Sequence, residues 1–309
     1  MALKVRTGLR ERWCLRGLAK AALGFFVIAV VSIACVGFSG QSASGRDASL
    51  VVTTIYPLQY FAERIGGGSI EVVNLISPGV EAHDFEPKPA DIRMLGSADV
   101  ILYNGTGFEP WMGRALSNLS GGSRVVVEAS KGAANNDPHV WLDPLQAVAQ
   151  VELIRDALIE INASMSKSYS EESGALIGEL QALNRRYAEG LSACELKSFV
   201  TSHDAFGHLA LRYGLDQIPV SGLSPESEPS AGELAELADK IQEIGAEYLL
   251  VEPVVSARLL QTLAAETGAK LLTLHPVASL TNAEAQRGED YFSIMEANLT
   301  TLRTVLKCN

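Results

Sequence analysis

Eight short β-rich runs frame this chain, four on either side of a long stretch that contains none. "LVVTTIY" (50–56), "IEVVNLI" (70–76), "DVILYNG" (99–105) and "SRVVVEA" (123–129) read as strands. Between them "PLQYFAERIG" and "KPADIRMLGSA" read as helices, the second with Pro89 in its first turn, where a missing N–H is tolerated. From Pro144 to about Leu191 the pattern is helical throughout. Val148, Val151, Ile154, Leu158 and Ile161 follow helical spacing, and after a polar break so do Leu176, Leu180, Leu183, Tyr187 and Leu191. Strand patterns then resume with "KSFVTSH" (197–203), "DQIPVSG" (216–222), "EYLLVEP" (247–253) and "KLLTLHP" (270–276), each followed by a helical pattern. Ser230 and Glu233 stand at the spacing of a capping box. Near-continuous Val/Ile/Leu strands alternating with helices call for parallel sheets covered on both faces. The expected fold is therefore α/β, with two lobes, each a mostly parallel sheet with flanking helices, joined by a long helix. The expected boundaries are 49–168 for the first lobe, 169–191 for the linker helix and 192–309 for the second lobe.

Residues 1–43 are set apart as an export segment. Six basic residues against one acid in the first 20 precede the uncharged "AALGFFVIAVVSIACVGFSG" (21–40), the order of a secretory signal. The apolar run also reaches the length of a marginal membrane span, so an uncleaved anchor stays open. Ala34 before Cys35 suggests lipidation of that cysteine, although Ser32 occupies a position where leucine is usual in bacterial lipoproteins. Cleavage among the small residues near Ala43 is the other reading. Of the formal net charge of −11, the first 40 residues hold +5, which leaves −16 for the rest. A body so acidic, without a basic stripe, repels phosphate backbones and excludes nucleic acid as a partner. It suits work outside the cytoplasmic membrane. Cys194 and Cys308 remain in the body. In an oxidising compartment such a pair, with no C-x-x-C, reads as a disulfide, although their spacing alone leaves the pairing open.

The chain has only five histidines. His83 lies in the loop "PGVEAHDFEP", His139 in "NNDPHVWLDP", His203 at the end of a strand in "FVTSHDAFGH", and His275 at the end of the last strand in "LLTLHPVASL". A single loop histidine is ordinarily a surface group or a local hydrogen-bond partner. Four of them, two from each lobe and all at strand ends or in connecting loops, fall where a parallel sheet collects its ligand-binding positions. Converging imidazoles are the usual donors for a borderline metal such as zinc. His208, on the helix after His203, fits a helix residue without a ligand role.

Taken together, "GVEAHDFEPKPADI", "DPHVWLDP", "FVTSHDAFGHLALRYGL" and "LLTLHPVASL" resemble the zinc/manganese-binding receptors (solute-binding proteins) of bacterial ABC metal-uptake transporters, of the cluster A-I type. The resemblance runs over the whole body, with its motifs in order. It implies two α/β lobes on a rigid backbone helix with one metal ion per chain between them. By motif, the implied ligands are His83, His139 and His203. His275 occupies the fourth position, where the family commonly has a carboxylate. Four imidazoles would favour Zn2+ over Mn2+, whereas Glu81 supplying an oxygen in place of one of them would blunt that preference. Asp84 and Asp204, each directly after a ligand, are candidates for orienting the imidazoles, or are helix caps. Trp141 is expected at the lobe interface, and Glu252 as a hydrogen-bonding residue at a strand end.

The function implied is an extracytoplasmic binding protein, not an enzyme, that captures zinc and delivers it to an ABC permease in the cytoplasmic membrane. It would act as a monomer, in the periplasm or on the outer face of that membrane, held by a lipid or by its signal segment. The alternatives are a manganese receptor of the same family, a zinc-dependent hydrolase and a surface adhesin. A hydrolase requires an open coordination position and a general base, and no H-E-x-x-H is present.

Overall fold

In a computed structural model, residues 48–119, 121–225 and 229–309 are described; the export segment with Cys35 lies outside them. All eight expected strands form: β1 (Ser49–Thr53), β2 (Ile70–Asn74), β3 (Val100–Tyr103), β4 (Val125–Glu128), β5 (Ser198–Thr201), β6 (Asp216–Pro219), β7 (Tyr248–Val251) and β8 (Lys270–Thr273). They make two four-stranded parallel sheets, ordered β2-β1-β3-β4 and β6-β5-β7-β8. The two orders are the same pattern. In each sheet the first strand is internal and the strand order reverses between the first and third strands. That reversal opens a crevice at the carboxyl ends of β1/β3 and of β5/β7, the place where open α/β sheets receive ligands.

Helices α1 (Tyr56–Gly66), α2 (Pro89–Ser97), α3 (Met112–Asn118) and α4 (Pro144–Ile161) accompany the first sheet. The short α3 has no counterpart in the sequence reading. Helices α6 (Gly207–Tyr213), α7 (Ala231–Glu243), α8 (Arg258–Thr267), α9 (Asn282–Arg287) and α10 (Tyr291–Val305) accompany the second. The capping box at Ser230 and Glu233 is formed. Between the halves runs α5 (Ser166–Gly190), 25 residues and about 37 Å long at 1.5 Å per residue. Among the described residues, no helix is long and apolar enough to cross a membrane.

The halves do not have separate cores. One apolar cluster extends from Val51 and Phe61 through Trp141, Leu180 and Tyr187 to Phe206, Leu274 and Leu302, drawing on both sheets and on α5. Smaller clusters around Leu95 and Ile101, and around Leu249 and Leu260, cover the outer face of each sheet. Polar staples cross the same interface. The Trp141 indole donates to the Pro276 carbonyl at 2.7 Å, and the Tyr291 hydroxyl to the Trp141 carbonyl at 2.6 Å. The amides of Tyr56 and Gly79 donate to the carbonyls of Ala278 and Leu280 at 3.0 and 2.7 Å.

The C-terminus is fastened to the end of α5. Gly190 permits α10 to approach, because a Cβ there would stand 3.2 Å from a Leu299 methyl. The Tyr187 hydroxyl donates to the Met295 carbonyl at 2.6 Å. A disulfide joins Cys194 and Cys308 across 114 residues. Closing so long a loop restricts the unfolded chain, an effect of about 2–5 kcal/mol. Cys308→Ser should therefore lower the melting temperature by roughly 5–15 °C, and reductant should lower the wild type to the same value. Thermal unfolding with and without reductant measures both.

Candidate metal centre

Three of the histidines meet. His83 comes from the loop after β2, His139 from the turn before α4, and His203 from two residues beyond β5. Their ligating nitrogens lie within 4.8 Å of one another, and the ring centroids form a near-equilateral triangle with sides of 5.2, 5.6 and 5.4 Å. His83 Nε2 and His139 Nε2 are 3.1 Å apart. Two nitrogens in a tetrahedral zinc site stand about 3.3 Å apart, given Zn–N bonds of about 2.05 Å. The rings are thus already spaced to share one small ion.

Two carboxylates decide which nitrogen of each ring faces inward. His139, fully buried, directs Nδ1 to Asp137 Oδ1 at 2.8 Å, and its backbone N–H donates to the same oxygen at 3.0 Å. His203 directs Nδ1 to Glu252 Oε1 at 2.6 Å. With Nδ1–H donated outward, Nε2 is presented to the centre in both rings, the usual carboxylate–histidine–metal arrangement. His203 Nε2 is buried and has no hydrogen-bond partner among the described residues. An orphaned buried nitrogen beside two others is what a cation would satisfy. His83 packs its ring 4.3 Å from that of Phe108.

Asp84 and Asp204 were the candidates for orienting the rings, with helix capping as the other reading. Among the described residues, neither bonds to one of the three imidazoles. Asp84 is exposed on the rim, and Asp204 donates its backbone N–H to the Gly222 carbonyl. Asp137 was missed, although it stands two residues before His139 in the sequence. Glu252, expected only as a hydrogen-bonding residue at a strand end, holds His203 in place.

A fourth imidazole was expected, and in this structure His275 stands apart from the triad. Both of its ring nitrogens are engaged elsewhere. Nδ1 accepts from the Val277 N–H at 2.8 Å, so Nε2 carries the proton and donates to Glu284 Oε2 at 3.2 Å. That bond holds the Glu284 carboxyl at about 2, well below the usual carboxylate range. Asn298 grips the His275 backbone from both sides, taking its N–H at 2.8 Å and donating to its carbonyl at 2.7 Å. The purpose is local. Val277 is a β-branched residue at φ +61°, a left-handed conformation that costs on the order of 1–3 kcal/mol. The bonds at His275, Pro276 and Ala278 hold it there. Pro276, Ala278 and Ser279 consequently line the cavity opposite the triad.

Glu81 lines the same cavity and accepts the His83 backbone N–H at 3.0 Å. Burial raises its carboxyl, against the lowering effect of that bond, and the nearby Glu252 charge raises it further. It is the carboxylate lining the cavity, and an ion there would relieve its desolvation. The space among Glu81, the three imidazoles and the loop is about 10 Å³, room for one small ion.

Most of the chain resembles known proteins. Residues 51–305 match the family model described as ZnuA, the periplasmic component A of a zinc-uptake complex. The chain belongs to the ZnuA family. It is 37% identical over 274 residues to the zinc-binding lipoprotein AdcA of Streptococcus pneumoniae, covering 82% of this chain but 55% of AdcA, so it spans about half the length of that relative. The Zn(II)-bound ZnuA-like domain of AdcA superposes with a TM-score of 0.75 at 38% identity, covering 84% of this chain and 99% of the domain. The ZnuA of Bacillus subtilis, a high-affinity zinc uptake system protein, is 35% identical over 309 residues, covering 92% and 97% of the two chains. The laminin-binding protein Lmb of Streptococcus agalactiae, described as having both adhesin and metal-transporting activity, superposes with a TM-score of 0.76 at 31% identity, covering 84% of this chain and all of Lmb.

Protonation of the triad has a definite order. Burial, reinforced by His139 and His203, pushes the His83 imidazole down to about 2. Burial lowers His139 as well, against the pull of Asp137. Burial also disfavours the His203 cation, but the Glu252 hydrogen bond and charge, with Glu81 and Asp204, outweigh it and raise His203 above its ordinary value. Of the three imidazoles His203 is thus the one most readily protonated, and a proton there competes with an incoming ion. Calorimetric titration with zinc in buffers of different ionisation enthalpy should record more protons released per ion at pH 6.5 than at pH 8.5. Binding should weaken as pH falls through the His203 pKa.

Proposed function

We propose that this chain is the extracytoplasmic receptor of a zinc-uptake ABC transporter. It captures one Zn2+ per chain between the lobes spanning 49–168 and 192–309, and delivers it to a permease in the cytoplasmic membrane without performing chemistry on it. The observation that carries this reading is the triangle of three imidazoles, two of them turned inward by dedicated carboxylates. In this reading His83, His139 and His203 are the ligands, Glu81 supplies the fourth donor, and Asp137 and Glu252 orient two of the rings. The chain acts as a monomer outside the membrane, held there by its N-terminal segment. What the ZnuA and AdcA proteins are described as binding agrees with this assignment.

The donor set bears on the choice of metal. Three nitrogens and one oxygen in a cavity of this size suit tetrahedral zinc, whereas manganese favours six oxygen-rich ligands. The zinc preference thus rests on three imidazoles in a tight space rather than on a fourth imidazole. The same tightness argues against a hydrolase, because a substrate would need room beside the ion.

Zinc and manganese offered together to the metal-stripped full chain should load zinc alone, near one per chain by elemental analysis. His139→Ala should lower zinc affinity at least 100-fold. Glu81→Gln should lower it roughly tenfold, while His275→Asn changes it less than about threefold and lowers the melting temperature instead. Manganese loading, or a larger loss of affinity in His275→Asn than in Glu81→Gln, would refute the assignment.

A further inference from the structure

His208 is a further histidine buried beside the triad, on α6, and stands outside the group of three. Its Nδ1 accepts an N–H from Gln146 Nε2 at 2.9 Å, which leaves the ring proton on Nε2. Nε2 donates it to the Asp137 carbonyl at 2.9 Å, and the Asp137 carboxylate Oδ2 stands 3.6 Å away. Asp137 is the residue whose other oxygen fixes His139. It also faces Gly207 closely, because a Cβ there would come within 3.0 Å of Oδ2. A second attachment lies farther along the same loop. Arg212, one turn beyond His208 on α6, donates from Nε and Nη2 to Asp143 Oδ2 at 2.9 and 2.7 Å. Gln146 joins the two attachments, since its Nε2 also donates to Asp143 Oδ2 at 3.2 Å.

The helix that makes these bonds belongs to the second lobe and starts four residues after His203. The loop that receives them belongs to the first lobe and carries His139. A short circuit therefore runs from His139 through Asp137 and His208 to α6, and back along the chain to His203. We propose that His208 is a positioning residue for metal capture, holding the His139–Asp137 pair from the opposite lobe so that two ligands from different lobes keep their spacing. An apolar side chain at 208 would leave the Asp137 carbonyl without its donor and the Gln146 amide with only its bond to Asp143, so Asp137 would be free to turn and His139 with it. A glutamine could keep the donor. The proposal rests on the reading of the triad as a metal site.

The test compares four full-length proteins after metal stripping: the wild type, His208→Phe, His208→Gln and Gln146→Met. Three quantities are read for each: zinc affinity by chelator competition, the visible absorption of the Co(II)-loaded form, and the melting temperature without metal. Removing an outer hydrogen-bond partner of a metal site typically weakens it by 10- to 100-fold. His208 acts one bond farther out. His208→Phe should therefore lose roughly tenfold in zinc affinity, and Gln146→Met about threefold. Both should show altered Co(II) bands, because the ring orientation has changed, while His208→Gln restores affinity and spectrum. A purely structural role would lower the melting temperature and leave the affinity and Co(II) spectrum of the folded protein unchanged. That result in Gln146→Met and in whichever His208 variant folds would overturn the proposal. Failure of the wild type to bind zinc would instead overturn the metal site beneath it, and the proposal with it.

Discussion

A fully buried indole must find an acceptor for its N–H, and Trp141 finds one in the opposite half of the molecule. Its bond to the Pro276 carbonyl, together with the Tyr291 hydroxyl on its own carbonyl, fixes the turn that presents His139 against the loop that closes the cavity. Loss of either bond would strand a polar group in the interior, at about 1–3 kcal/mol each. Much else follows from this contact. The loop from His275 to Leu280 holds a left-handed valine with the first lobe gripping it at Pro276, Ala278 and Leu280, and the cavity wall depends on that loop staying in place.

The two sheets repeat one strand order, yet they treat their crevices differently. In the second sheet the crevice between β5 and β7 delivers a ligand and its orienting carboxylate directly, as His203 and Glu252. In the first sheet the equivalent crevice is occupied by the buried carboxylate of Glu109. It accepts the Thr54 hydroxyl and the backbone N–H groups of Asn104 and Gly105, the latter two at 2.9 Å. Asn104 then donates to the Pro138 carbonyl at 2.9 Å, next to His139. One half brings a ligand to the crevice itself; the other uses its crevice as a foundation for a ligand that arrives by a longer loop.

This difference explains what could be read from the sequence. The eight strands, the long helical middle and the capping box at Ser230 were legible because apolar periodicity and local hydrogen bonding decide them. His83, His139 and His203 were legible through their motifs and their places at strand ends. His275 has the same local signature, an imidazole closing a Val/Leu-rich strand, yet the fold does not bring it to the other three. What separates it from His139 is a pair of partners, the Val277 amide and Glu284, that occupy its lone pair and its proton. Such occupancy is a property of the folded loop and leaves no mark in spacing. Asp137 was missed for a related reason: an Asp-Pro before a turn looks like turn chemistry, and its role depends on α6 lying opposite. The short α3 carries too few apolar positions to stand out from a loop.

The continuous core has a consequence for how a partner could tell a full molecule from an empty one. Proteins that clasp their cargo by closing two independent domains announce occupancy through the angle between them. Here the halves share an apolar interior from Val51 to Leu302 and are sewn at Trp141, Tyr56 and Gly79. Such a body has little angle to change. If it receives an ion as proposed, a difference between full and empty would fall on the lips of the cleft, in the His83 loop and the segment after Glu252. Recognition would then work like reading a key by its teeth, with the handle identical in both states.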